Sequence, residues 1–316
     1  MRRFFSLATF IVIFSAVLAL GIDPAAAATK KKPAAKKSPT PDATEPSDEG
    51  ETPKTSADGV PIVHAASVVV VDARSGQILF EKNADQQRPP ASTQKLLTAL
   101  IITETGNLDK PVTVEASDTW AEPVKLNIQP GEIYRRIDLL QVLLVHSTND
   151  VARCLARDNA GSIDDFADKM NRKAAQLGMT DSHFVNPNGL PAPGQYSTAR
   201  DMARVALAAY QNRIIRNIVC MKDTWFHFND GRIVHFDNTN KVLRRFPLCN
   251  GMKTGYTEAA GHCLISSASD GEREVISVAL GDNSSIWKDS YALLVWGLSA
   301  AGGGGTGAER NIGSRY

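Results

Sequence analysis

The chain has 316 residues, 35 lysines and arginines against 34 aspartates and glutamates, and 43% apolar residues, a composition that supports a packed globular core and excludes a disordered polymer. Charge is locally patterned: Lys30, Lys31, Lys32, Lys36 and Lys37 precede Asp42, Glu45, Asp48, Glu49 and Glu51. With no aromatic residue among them, these blocks read as solvated charge and not as a nucleic-acid surface.

Residues 1–28 read as a secretory signal peptide: Arg2 and Arg3, an apolar run from Phe4 to Leu20, then Ala25 to Ala28 around an A-x-A-like site. Gly21 and Pro24 break the apolar run, which favours cleavage; membrane contact is expected only if the signal stays uncleaved. Residues 29–60 are a Lys, Pro, Ser and acidic tether that cannot bury enough apolar surface to fold. The folded domain is expected over 61–298, followed by a flexible glycine-rich tail over 299–316.

Within the domain, Ser67 to Asp72 and Gln77 to Lys82 flank the turn Ala73-Arg74-Ser75-Gly76 and predict a hairpin. Pro89 and Pro90 stop the chain just before Ser92, and Thr93 to Thr105 predicts a buried helix. Helices are expected over Ile137–Val145, Asp150–Asn159, Ser162–Leu177 and Thr198–Tyr210. Strands are expected over Gly251–Tyr256, His262–Ala268 and Val275–Leu280, with a closing helix over Ile286–Leu298 holding Trp287 and Trp296 in the core. Strands at both ends with helices between predict an α+β fold, one antiparallel sheet packed against a helical layer.

Three short stretches carry candidate chemistry. Ser92-Thr93-Gln94-Lys95 places a hydroxyl and an amine on one helical face. Ser147-x-Asn149 lies between two helices, and Lys253-Thr254-Gly255 opens the strand that ends in Tyr256. Each is weak alone: a capping serine, an ordinary N-cap and a surface lysine account for them one at a time, and Ser285-Ile286-Trp287-Lys288 repeats the first spacing. Their order carries more, because S-x-x-K, S-x-N and K-T-G in sequence form the signature of penicillin-binding proteins and related serine β-lactamases. Ser285 follows the K-T-G strand and fails that order.

Five further stretches, Arg88-Pro89-Pro90-Ala91-Ser92, Asn186-Pro187-Asn188-Gly189-Leu190, Tyr196-Ser197-Thr198-Ala199-Arg200-Asp201, Asn238-Thr239-Asn240 and Met252-Lys253-Thr254-Gly255-Tyr256-Thr257, extend the likeness across the whole domain. From about Ala65 to Leu298 the chain resembles the low-molecular-mass D-alanyl-D-alanine carboxypeptidases of peptidase family S11, with a β-lactamase/transpeptidase-like fold. The resemblance implies an exported, extracytoplasmic hydrolase of the bacterial cell envelope, needing no cofactor or metal. It acts on peptidoglycan stem peptides and is trapped covalently by β-lactams. By the same resemblance Ser92, Lys95 and Ser147 are catalytic, and Asn149, Lys253, Thr254, Gly255 and Tyr256 bind substrate. The oxyanion donors are the backbone N–H groups of Ser92 and Tyr256. The chain departs from many relatives in ending on Gly302–Gly305 and a polar tail where they carry a β-rich domain and an anchor helix.

Three alternatives stand beside this reading. A DD-endopeptidase cutting D-alanine cross-links uses the same groups. A β-lactamase needs a glutamate-activated water, yet no glutamate lies between Ser147 and Lys253. An inactive wall-binding module needs no base beside a serine. The six histidines form no H-E-x-x-H pair, which leaves a metallopeptidase without ligands. Arg244 and Arg245 read as surface charges, and His146 adjoins Ser147 in sequence without facing it. Cys154, Cys220, Cys249 and Cys263 match no zinc or C-x-x-C pattern and leave disulfides and buried free thiols both open.

Overall fold

The structure, a computed structural model, describes residues 54–301. The expected signal peptide, residues 29–53 of the expected tether and residues 302–316 of the expected tail lie outside the described residues.

Strand β1 (Ser67–Asp72) turns into β2 (Ile78–Lys82), pairing Val68 with Lys82 and Val70 with Phe80. After Pro90 a 3₁₀ turn, Ala91–Gln94, leads into helix α1 (Lys95–Thr105). A short pair follows, β3 (Pro111–Thr113) with β4 (Ile133–Arg135). The helical layer continues through α2 (Arg136–His146), α3 (Asn149–Ala160), α4 (Ile163–Gln176), α5 (Ala199–Gln211) and α6 (Arg213–Val219). A second hairpin, β5 (Asp223–His227) with β6 (Ile233–Asp237), precedes the short α7 (Val242–Arg245). The chain closes with β7 (Cys249–Thr257), β8 (Gly261–Ser269), β9 (Glu274–Asp282) and α8 (Ile286–Ala300).

The main sheet is antiparallel in the order β2-β1-β9-β8-β7, so the first strands pair with the last and β7 forms one edge. The period of two decides what each strand buries. Val69, Val71, Ile276, Val278 and Leu280 face the helical layer, where they join Leu96, Leu143 and Val205 in one core. Val68, Val70, Val275 and Ala279 face the other way, where Leu293, Leu294 and Leu298 of α8 cover them. Because both faces are covered, β1 and β9 read as near-continuous apolar runs. A side chain at Gly297 would come within 3.0 Å of Val70 Cγ1, so glycine sets how closely α8 approaches the sheet.

The expected α+β sheet on a helical layer is observed, with α8 as a covering layer on the opposite face. Trp287 and Trp296 of α8 are half-buried against this second core, Trp296 edge-on to Phe80 at 6.0 Å. The predicted helix at Thr93 starts instead as the 3₁₀ turn, and α1 proper begins at Lys95. The β3–β4 and β5–β6 pairs and helices α6 and α7 had no clear sequence signal, being three to seven residues long. Cys154, Cys249 and Cys263 are buried, Cys220 is exposed, and all four thiols are free.

Candidate active site

The 3₁₀ turn packs against β7 and β8 at the edge of the sheet. Two glycines let it sit there: a Cβ on Gly189 would fall 2.0 Å from the Ala91 carbonyl oxygen, and one on Gly255 would fall 2.8 Å from the Ser92 nitrogen. Ala91 itself has φ of 48°, a left-handed conformation that costs an alanine about 1–3 kcal/mol and is held only by its surroundings. The turn therefore presents a half-buried Ser92 at a fixed angle between strand and helices.

Lys95, one turn further, is fully buried. Its Nζ lies 2.6 Å from Ser92 Oγ, 2.8 Å from Asn149 Oδ1, 2.8 Å from the Asn188 carbonyl and 3.4 Å from Ser147 Oγ. Burial depresses its pKa well below the ordinary lysine range, the nearby Lys253 charge depresses it further, and Asp150 opposes. A neutral amine has two N–H groups and one lone pair. The Asn149 and Asn188 oxygens can only accept, so a neutral amine that gives them its two hydrogens keeps its lone pair for the Ser92 hydroxyl, which also lies 3.2 Å from the Asn188 carbonyl. This arrangement lets the amine remove a proton from that oxygen.

Ser147 ends α2 with φ of 70°, a left-handed cap that turns its hydroxyl towards Lys95. Asn149 opens α3, with Thr148 as the N-cap residue. The Asn149 amide is held at both ends: Oδ1 accepts from Lys95, and Nδ2 donates to the Pro123 carbonyl at 2.6 Å. Next to it, the buried Asp150 carboxylate accepts the backbone N–H groups of Leu126, Asn127 and Val151 at 2.7–2.9 Å. It thereby anchors the segment that carries Pro123.

On β7, alternation puts Lys253 and Gly255 on the face turned to Ser92, and Thr254 and Tyr256 on the other. Lys253 is 1% exposed, its Nζ donates to the Thr254 carbonyl at 3.0 Å, and burial pushes its pKa down to about 7. Thr254 shares a 2.7 Å hydroxyl–hydroxyl bond with Thr239. Tyr256 is half-exposed, its ring 4.5 Å from that of His262.

Of the eight residues singled out in the sequence, Ser92, Ser147 and Asn149 meet at the Lys95 amine, Gly255 packs on the Ser92 turn with Lys253 on the same face of β7, and Thr254 and Tyr256 lie on that strand's other face. Asn188, whose backbone oxygen takes a Lys95 hydrogen, and Asp150 were not singled out. Asn188 lies in the family-like Asn186–Leu190 stretch, but a role borne by a carbonyl leaves no side-chain signature. The second S-x-x-K is a helix start, since the Ser285 N–H donates to Asp282 Oδ1 at 2.8 Å as the N-cap of α8. The His146 ring packs on Phe236 with centroids 4.6 Å apart. Arg244 is ion-paired with Asp237. Among the described residues, Asp223, His235 and Asp237 lie close enough together to hold a cation, and the Arg244 guanidinium already sits on these carboxylates.

Comparison with known proteins adds to this geometry. Residues 54–284 match the family model of D-alanyl-D-alanine carboxypeptidases, Peptidase S11. The chain is 35% identical over 247 residues to the D-alanyl-D-alanine carboxypeptidase DacB2 of Mycobacterium tuberculosis, covering 76% of this chain and 84% of the relative. To the carboxypeptidase DacF of Bacillus subtilis it is 32% identical over 222 residues, 69% of this chain and 57% of the relative's length. The crystal structure of a D-alanyl-D-alanine carboxypeptidase from M. tuberculosis superposes with a TM-score of 0.74 at 33% identity, covering 79% of this chain and 96% of that one.

Proposed function

This chain belongs to the D-alanyl-D-alanine carboxypeptidase family, Peptidase S11, and from that premise we propose that it is a serine-type carboxypeptidase removing the terminal D-alanine of peptidoglycan stem peptides through an acyl-enzyme on Ser92. The observation that carries the assignment is the 2.6 Å contact between Ser92 Oγ and the buried amine of Lys95, whose other partners leave its lone pair to the hydroxyl.

Ser92 Oγ attacks the carbonyl of the penultimate D-alanine while its proton passes to Lys95, a base contribution typically worth ~10²–10⁴ in rate. The oxyanion is held by the backbone N–H groups of Ser92 and Tyr256, each such donor typically worth ~3 kcal/mol. Collapse breaks the peptide bond, and the proton returns through Ser147 to the departing D-alanine amine. Water, deprotonated by the same lysine, then cleaves the ester and frees Ser92. Asn149, held at both ends, keeps Lys95 oriented. Lys253, on the Ser92-facing side of β7, receives the substrate's terminal carboxylate, which favours the charged form of Lys253. β-Lactams, as mimics of the D-Ala-D-Ala end, acylate the same oxygen. The signal-like pattern of residues 1–28 supports an activity outside the cytoplasm, in the cell envelope.

Incubation with a fluorescent penicillin and, separately, with pentapeptide muropeptides, read by mass spectrometry, tests this. We expect one label on Ser92, absent in Ser92→Ala, and loss of a single D-alanine from pentapeptides. A label elsewhere refutes the nucleophile. Cleavage of cross-linked dimers with pentapeptides untouched replaces carboxypeptidase by endopeptidase.

A further inference from the structure

Asp150 follows Asn149 in α3 and is fully buried. Burial raises its pKa, and a charge in such a place persists only where hydrogen bonds satisfy it. The donors are backbone: Oδ1 accepts from Leu126 and Val151 at 2.9 Å each, and Oδ2 accepts from Asn127 at 2.7 Å. N–H groups aimed at both oxygens favour the charged form. The segment they come from needs this hold. Val124 and Asn127 have φ of 56° and 63°, left-handed conformations that are costly for any residue but glycine, and most of all for a β-branched one. The same segment grips Asn149 twice: the Val124 carbonyl accepts its backbone N–H at 2.8 Å, and the Pro123 carbonyl accepts its Nδ2 at 2.6 Å.

The remaining charged groups nearby are engaged elsewhere or stand on the far side of the amine. Glu122 and Lys125 of the segment pair with each other at 2.9 Å, and Arg153 of α3 donates from Nε to the Ser117 carbonyl at 3.1 Å. From β7 and α2 the titratable groups are Lys253 and His146, whose pKa values burial lowers. Given the assignment of Lys95 as the base, on which this inference rests, we propose that Asp150 is a positioning residue for the proton transfer: it holds residues 123–127 so that the Pro123 carbonyl fixes the Asn149 amide, and it sets a negative charge near the Lys95 amine. The second effect matters because burial and Lys253 both drive the proton off that amine, and too weak a base cannot take one from serine. The Asp150 charge opposes them. Its oxygens are occupied by backbone N–H groups, so it does so without an ion pair that would lock the lysine as an ammonium.

The test is the pH dependence of Ser92 acylation by a fluorescent penicillin in Asp150→Asn, which keeps the size of the side chain, removes its charge and turns an amide NH₂ on the backbone donors. We expect acylation about ten- to a hundredfold slower, from misplacement of the base. The limb on which the rate rises with pH should also move to lower pH, because Lys95 loses a charge that favours its ammonium form. His146 and Lys253 titrate in both proteins, so the difference between the two profiles reports Asp150. An unaltered rate, or a slower rate with the limb in place or moved upward, overturns the proposal. Should the variant fail to fold, amide hydrogen exchange of the unaltered protein decides: Leu126 and Asn127 should be protected as strongly as α3, and exchange as fast as in an exposed loop overturns it. Absence of any label on Ser92 in the unaltered protein refutes the nucleophile itself, and this inference falls with it; a labelled Ser92 with an unmoved limb refutes the role of Asp150 alone.

Discussion

Two lysines without a carboxylate partner at their nitrogens set the chemistry of the cleft. Lys253 has a pKa of about 7 because it is buried, whereas a lysine in an unfolded chain titrates near ~10.4. Between these values the unfolded state holds a proton that the folded state lacks, so this residue's contribution to stability falls as pH drops through the window. Lys253→Met removes that penalty. Its urea midpoint should therefore rise relative to the unaltered protein as pH is lowered from about 10 to 7, and an unchanged difference would mean that Lys253 keeps an ordinary pKa. The polar residue types at this site were legible in the sequence, because Ser92, Lys95, Ser147, Asn149 and Lys253 sit in three ordered stretches. The backbone carbonyls of Asn188 and Pro123 were not, since they act without using their side chains.

At the scale of elements, catalytic geometry rests on how closely β7 approaches the Ser92 turn. Gly255→Ala would place a methyl 2.8 Å from the Ser92 nitrogen and 3.0 Å from that of Thr93, forcing apart the two segments that supply the proposed oxyanion donors. We expect at least a tenfold slower acylation by penicillin together with a lowered thermal midpoint, as overpacking typically costs about 1–3 kcal/mol, read by stopped-flow fluorescence and calorimetry; an unaltered rate would show that the strand does not gate the turn. The longer elements were legible because periodicity accumulates over nine or more residues, as in α5 and β9. The β3–β4 pair offers only three residues a strand, and β5 alternates Thr224 and Phe226 inward with exposed Trp225 and His227, too short a pattern to tell from a loop. The 3₁₀ start at Ala91 was missed because the constraint comes from Gly189 and Gly255, far away in sequence.

For the molecule as a whole, the sheet separates two cores, and the larger one carries the helices that hold Lys95, Ser147 and Asn149 in place. Leu143 of α2 is fully buried in that core, so Leu143→Ala should cost about 2–5 kcal/mol in denaturant unfolding, with Ser92 labelling kept in the fraction still folded. A cost under ~1 kcal/mol would mean that the helical layer is packed more loosely than described. Burial in this core also lowers the pKa of the Lys95 amine. Titration of Lys95, followed by ¹³Cε NMR of lysine-labelled protein and assigned by comparison with Lys95→Arg, tests that effect most directly. The account requires a midpoint far below the ordinary lysine value and a move upward in Lys253→Gln, which removes the neighbouring charge. A Lys95 midpoint near ~10.4 would leave Ser92 beside a permanent ammonium, with no base to take its proton.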